Sequence, residues 1–460
     1  MPGNPELSEQ RSYRVAEHIL RGAYKPRIMK KPNSTAILIA ITALLATAGP
    51  AFAAGTAETP MTLGEAIRLT KERNPRALQA GEELKAADAR VTESRSAWYP
   101  QVSVKSGYTY LDPVQMEAFM PHDNYSAKVA AEMVLFDFGR TGSRVDIAKT
   151  GRRAAGISRD LTLRDLSLAT ARSFYSVLFL QEAVKVQEKE IAALSGNLEH
   201  MQKRYREGAA TRFDLLTTEV RLSAARDRRI ALLSQLENQE IALRRLCGLK
   251  GSGRLPLSGS FKAESADADA GKLTAAALDH RPEVALSREN LHAAEARRAL
   301  AVKEWFPTIT GAASWGTSNG YYPDIKEMRT NVMAGVQLQV PLFNGFRTSA
   351  ANSEAKASMH AAQQQRFDAE EQAQAEVKQA LNSLRTSRER IGTTSLQVSQ
   401  AELAAQQARI RHQNGMGTTL DLLDAEAALA QAELANLQAR YEQVLNTYEV
   451  RRASGDLIEN

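Results

Sequence analysis

Two short stretches hold the residues best placed to do chemistry: Gly208-x-x-Thr211-x-x-Asp214-Leu215-Leu216 and Gly415-x-Gly417-Thr418-x-x-Asp421-Leu422-Leu423. In each, a glycine supplies the left-handed turn that stops a helix, and Thr followed three residues later by Asp is a capping box with Asp in place of the usual Glu. A carboxylate there stabilises the helix start and its dipole by about 0.3 to 1 kcal/mol without any further role. Asp424 is different. It lies one turn beyond the capping positions, and its counterpart in the first stretch is Thr217, so folding does not demand an acid there. It is either a carboxylate with work outside the helix or an ordinary solvated residue.

Catalysis has little to stand on. His122, His200, His280, His292, His360 and His412 lack metal-ligand spacing, and the single cysteine, Cys247, has no nearby histidine. Gly415-Met416-Gly417 follows a helix rather than a strand, so it is not a phosphate loop. No enzymatic activity, cofactor or metal is expected. Cys247 answers to Ser454 and reads as a small packing residue.

Both stretches belong to one long repeat with a period of 207 residues. Asn74-Pro75 answers to Arg281-Pro282, Trp98-Tyr99-Pro100 to Trp305-Phe306-Pro307, Leu135-Phe136-Asp137 to Leu342-Phe343-Asn344, and Arg244-Arg245 to Arg451-Arg452. No insertion breaks the register. Such a period is too long for the common solenoids and points to a duplicated unit, 54–250 and 272–460, joined by a Gly/Ser/Asp-rich linker at 251–271.

The elements that must position the two stretches are long helices. Val177, Val184, Ile191, Leu198 and Tyr205 recur every seven residues, and Val377, Leu384, Ile391 and Val398 do the same in the second copy. That is a coiled-coil seam. Helices are expected at about 75–97, 142–207 and 212–247, then 282–304, 349–414 and 419–454. The two shorter helices of each copy together match the longest, which predicts one long helix packed against two stacked end to end.

Between the short and long helices the pattern changes to a period of two. Val102, Val104, Tyr108 and Tyr110 alternate with Gln101, Ser103, Lys105 and Thr109, and Val332, Ala334, Val336, Leu338 and Val340 alternate with residues such as Asn331, Gln337 and Gln339. Strands are expected at about 101–110, 126–136, 308–317 and 330–340. Runs of about ten alternating residues with aromatics near their ends fit transmembrane β-strands; the rival is one face of a soluble sandwich. Four strands cannot close a barrel, and open edges are excluded from lipid, so the chain must self-associate: two copies give eight strands, three give twelve. Only the larger closure leaves an open bore.

Residues 29 to 54 carry Lys30-Lys31, a short apolar run and Ala51-Phe52-Ala53, the pattern of a secretory signal. Residues 1–53 are therefore expected to be leader, with 1–28 an over-extended start, and no cysteine follows the cleavage site to take a lipid anchor. Taking the leader's seven basic and three acidic residues from 59 and 53 leaves 52 against 50, a net charge of +2. So small an excess does not suggest nucleic acid as a partner.

Taken together, the signal, the tandem repeat with two strands each, the coiled coils and the Gly-x-x-Thr-x-x-Asp-Leu-Leu tips resemble the outer-membrane efflux protein family, the TolC-like channels, over about residues 61–456. The resemblance implies an α+β membrane protein: a homotrimer with a twelve-stranded barrel in the outer membrane and a periplasmic helical tunnel. It further implies docking of the tips onto a periplasmic adaptor protein fed by an inner-membrane pump, so that the channel passively exports small molecules. Type I protein secretion is the alternative, and a soluble periplasmic coiled-coil scaffold is the rival of another class. By the same resemblance Asp421 and Asp424 ring the periplasmic entrance, and Asp214 joins the contacts that hold it shut. Where the family has its Tyr and Arg partners for that acid, this sequence has His412 and Gly417, so the closing contacts cannot be carried over. The turns at Gly208, Thr211, Gly415, Gly417 and Thr418 would meet the adaptor, and Trp98, Tyr99, Trp305 and Phe306 would sit where barrel meets tunnel.

Overall fold

The computed structural model describes residues 60–114, 120–251, 253–262 and 269–456. The expected leader, part of the loop after Tyr110 and part of the segment joining the repeats lie outside these residues. The first copy runs α1 (Leu63–Arg73), α2 (Pro75–Ser96), β1 (Gln101–Tyr110), β2 (Asp123–Phe136), α3 (Arg140–Arg206) and α4 (Arg212–Cys247). The second runs α5 (Ala270–His280), α6 (Pro282–Lys303), β3 (Thr308–Ser318), β4 (Arg329–Gln339), α7 (Arg347–Gln413) and α8 (Thr419–Ser454). Each helix of the second copy begins 207 residues after its counterpart.

Helices α3 and α7 each have 67 residues, which at 1.5 Å per residue is about 100 Å. Of the expected heptad positions Val177, Val184, Val377 and Leu384 are buried, Ile191, Leu198, Ile391 and Val398 are part-buried, and Tyr205, at the open end of the helix next to the turn, is exposed. Along α3 lie α4 and α2, and along α7 lie α8 and α6, the arrangement that the matching lengths require. The second repeat also folds back on the first, because α6 and α8 both contact α3. The largest apolar cluster gathers there, with Ile67, Phe174, Val177, Leu243, Cys247 and Tyr448. Cys247 packs between Thr70 Oγ1 at 3.7 Å and the Ala66 carbonyl at 3.6 Å. Burial pushes its thiol pKa up, so it stays protonated and serves as packing.

Two features go beyond the sequence expectation. Helices α1 and α5, each of 11 residues, precede Pro75 and Pro282, where helix was expected to begin. Asn74 explains the break: its side chain accepts from Arg76 N at 2.9 Å to start α2 and donates to the Leu246 carbonyl at 2.9 Å to pin it to α4. The segment read as a linker is also partly anchored. Met61 N donates to the Pro256 carbonyl at 2.8 Å, Ser258 N donates to the Met61 carbonyl at 3.0 Å, and Leu255 is buried.

The strands form one antiparallel sheet in the order β1-β2-β3-β4, with Val129 facing Val104 on one side and Trp315 on the other. Val102, Val104, Tyr108 and Tyr110 on β1, and Val332, Val336 and Leu338 on β4, are all more than half exposed. A sheet that exposes its apolar residues and leaves β1 and β4 as free edges is incomplete in one chain. Arg140 locks the sheet to the helices: its guanidinium donates to the Lys303 carbonyl at 2.8 Å, to Thr308 Oγ1 at 2.8 Å and to the Phe306 carbonyl. Trp98, Tyr99, Trp305 and Phe306 stand exposed at this junction. Among the described residues no helix is long and apolar enough to cross a membrane.

Candidate functional site

At the far end of the long helices both turns are built alike. Gly208 (φ +74°) and Gly415 (φ +72°) take the left-handed conformation, and the next helix starts in a reciprocal cap. Thr211 Oγ1 accepts from Asp214 N at 3.2 Å while Thr211 N donates to the Asp214 carboxylate at 3.1 Å. Thr418 and Asp421 repeat this at 3.1 and 3.0 Å. The Thr418 hydroxyl and N–H, with Arg411 nearby, hold the Asp421 carboxyl below its ordinary pKa. Gly417 has no left-handed backbone, but a Cβ there would come within 3.3 Å of Arg411 Cβ and His412 N. The turn is tight at that point.

Beyond the caps the two tips diverge. Asp424 pairs with Arg221 of α4 at 2.9 Å, and both side chains remain about half exposed at 57% and 43%. This contact joins the repeats, and neither partner has an equivalent: Thr217 answers to Asp424, and Ala428 to Arg221. Glu426 is buried and accepts from Asn197 of α3 at 2.7 Å and from Arg409 of α7 at 3.1 Å. It fastens three helices at one point.

His412 lies 3.4 Å from Arg204 Nη1. Burial, Arg204 and His200 lower its pKa against the opposing pull of Asp214, so the ring is neutral at pH 7. Around it is a cleft of about 700 Å³ between α3 and the tip of the second repeat, lined by residues including Gly196, His200, Arg204, Arg409, His412 and Gly415. Gly196 leaves open space there, with nothing within 4 Å of where a Cβ would stand, whereas the second repeat carries Leu403 at the equivalent position.

The structure thus brings His412 to Arg204 and Asp424 to Arg221, and leaves Asp214 and Asp421 in their own caps. Arg221, Arg204, Asn197, Arg409 and Glu426 were not singled out from sequence. A signal for Arg221 was available, since it and Asp424 are both charges missing from the opposite copy. Among the described residues no cluster of His, Cys, Asp and Glu could hold a metal ion.

The profile of the outer membrane efflux protein family matches residues 66–249 and 273–456, one match per repeat. Outer membrane protein TolC of Vibrio cholerae is 25% identical over 402 residues, covering 86% of this chain and 91% of that protein. Alkaline protease secretion protein AprF of Pseudomonas aeruginosa is 24% identical over 414 residues, covering 86% and 84%. The crystal structure of the outer membrane protein VceC from Vibrio cholerae superimposes with a TM-score of 0.75 at 20% identity, over 86% of this chain and 96% of that one.

Proposed function

This chain belongs to the outer membrane efflux protein family, and from that premise we propose that three copies form the exit channel of a tripartite export system. The β-sheets of three copies close into a twelve-stranded barrel in the outer membrane, and the helices form a tunnel whose tips dock onto a periplasmic adaptor protein fed by an inner-membrane pump. The observation that carries this reading is the incomplete sheet. Its open edges and outward apolar residues demand both more strands and lipid, and it sits at one end of helices about 100 Å long. The channel is passive; energy and choice of cargo belong to the pump. Three copies of Asp421 and Asp424 gather at the narrow end and favour cations there.

Cell fractionation together with loop accessibility tests this. The chain should sediment with the outer membrane as a heat-modifiable trimer, and an epitope beside Asp324 should be reached by antibody on intact cells. A soluble chain, or an epitope reached only after permeabilisation, would contradict it. Similarity to a protease secretion protein keeps protein export beside small-molecule export, and cross-linking the tips to the pump distinguishes them.

A further inference from the structure

We infer that the seam between copies is specified by an ion pair between Arg76 and Glu371 of the partner subunit, with the charges exchanged relative to the equivalent pair inside the chain. This rests on the self-associating channel described above. Within the chain, α6 lies between its own long helix α7 and the first repeat's α3, whereas its counterpart α2 lies against α3 but not α7. Likewise α8 contacts α3 as well as α7, while α4 does not contact α7. In the sheet, β3 pairs with β2, but the outer edge of β1 is free. Every contact that the second repeat makes back onto the first therefore has a missing counterpart. The second repeat of a neighbouring copy supplies it.

The inner seam shows what to expect at the outer one. Arg164 of α3, only 2% exposed, grips Glu283 of α6: its Nη1 donates to Oε2 at 2.9 Å and its Nη2 to Oε1. Moving each residue by one repeat turns Arg164 into Glu371 on α7 and Glu283 into Arg76 on α2. An Arg–Glu pair becomes a Glu–Arg pair. Arg76 and Glu371 are both exposed, and among the described residues neither side chain has an ionic or hydrogen-bonding partner.

The tips agree with this register. Helix α3 meets α8 at Lys189–Glu433 and Asn197–Glu426. Moving these pairs by one repeat sets Leu396 toward the partner's Arg226 and Ala404 toward the partner's Glu219; on the same helices Leu403, Ile410, Val220 and Phe213 are apolar side chains at least half exposed in the single chain. Burying them together removes a hydrophobic stripe from water.

Exchange of the charges has a consequence for assembly. If the first repeats of two copies met by mistake, the exposed edge that carries Arg76 would meet the same edge of the partner, and like charges would be brought together. Attraction in the right order and repulsion in the wrong one make the repeats alternate around the ring.

The test is a charge swap in the full chain, read as the trimer band of unheated outer-membrane extracts. Arg76→Glu and Glu371→Arg should each lose about tenfold or more of the trimer, and the double swap should recover it. As a second route, Arg76→Cys with Glu371→Cys should be joined between copies, and not within one chain, by a short bismaleimide. Wild-type trimer levels in both single swaps, no recovery in the double swap, or no cross-link between copies would each overturn the pairing while leaving the channel reading intact. A wild-type chain that never runs as a trimer would overturn the channel reading itself.

Discussion

Both tips start their returning helices with the same pair of cap hydrogen bonds, Thr211 with Asp214 and Thr418 with Asp421, and both end their long helices on a left-handed glycine. Around these caps the copies separate: Asp424 stands against Thr217, His412 against Tyr205, and the buried Glu426, bonded to both Asn197 and Arg409, against Glu219. What the copies share is what folding needs. What only the second copy has is the better guide to what the entrance does.

The strongest perturbation removes the shared part. Gly208→Val with Gly415→Val forces two β-branched residues into the left-handed region, at a cost of about 1 kcal/mol or more each. Because the barrel is about 100 Å away, trimers should still reach the outer membrane while export is abolished. Normal export by correctly inserted double mutants would show that the turns are not the docking surface.

Next is the pH response of the seam between the repeats. Burial acts to raise the Glu283 pKa, but the Arg164 and Arg281 guanidiniums prevail and hold it at about 2. Since its folded pKa lies below the unfolded value, the unfolded chain binds more protons in that window. Its contribution to stability is present above about pH 4.5 and is lost as pH falls towards 2. Thermal melts of Glu283→Gln should lie below wild type at pH 7, and the gap should narrow on acidification. A constant gap would mean that ionisation of Glu283 is not what joins the seam.

Smaller effects come from the parts that differ. Arg221→Ala frees Asp424 from a half-exposed pair worth roughly 0.2 to 1 kcal/mol, so the ratio of open to closed channel should rise by at most about fivefold. No change in single-channel open probability would show that this contact does not bias the entrance. Thr211→Ala and Thr418→Ala should each cost about 1 kcal/mol and be alike within error by melting. Clearly unequal losses would mean that one cap does more than start a helix.

Much of the fold was legible because burial writes its period into the chain. Val177, Val184, Val377 and Leu384 are spaced for a coiled coil, and Val102, Val104, Val332 and Val336 for strands that meet an apolar medium on one face. Helices α1 and α5 are not legible because each is only three turns long and stops two residues before a proline. The segment around Leu255 reads as a polar linker because its few apolar residues show no period.

The caps were legible in the site, being local. The contacts of Asp424, His412 and Glu426 were not, because Arg221, Arg204 and Asn197 lie more than 200 residues away in sequence. Arg164 and Glu283 were hidden in the same way. On a long helix a buried arginine is spaced like any solvated one, and only the packing of the two repeats shows which are paired.

The most direct test of the central claim, that acids of the second repeat line the entrance, is the reversal potential of single channels across a salt gradient. Wild type should prefer cations, Asp421→Asn with Asp424→Asn should lose that preference together with block by multivalent cations, and Asp424→Asn alone should account for most of the change. Unchanged selectivity in the double mutant would place both acids off the pore axis and leave Asp421 as a helix cap.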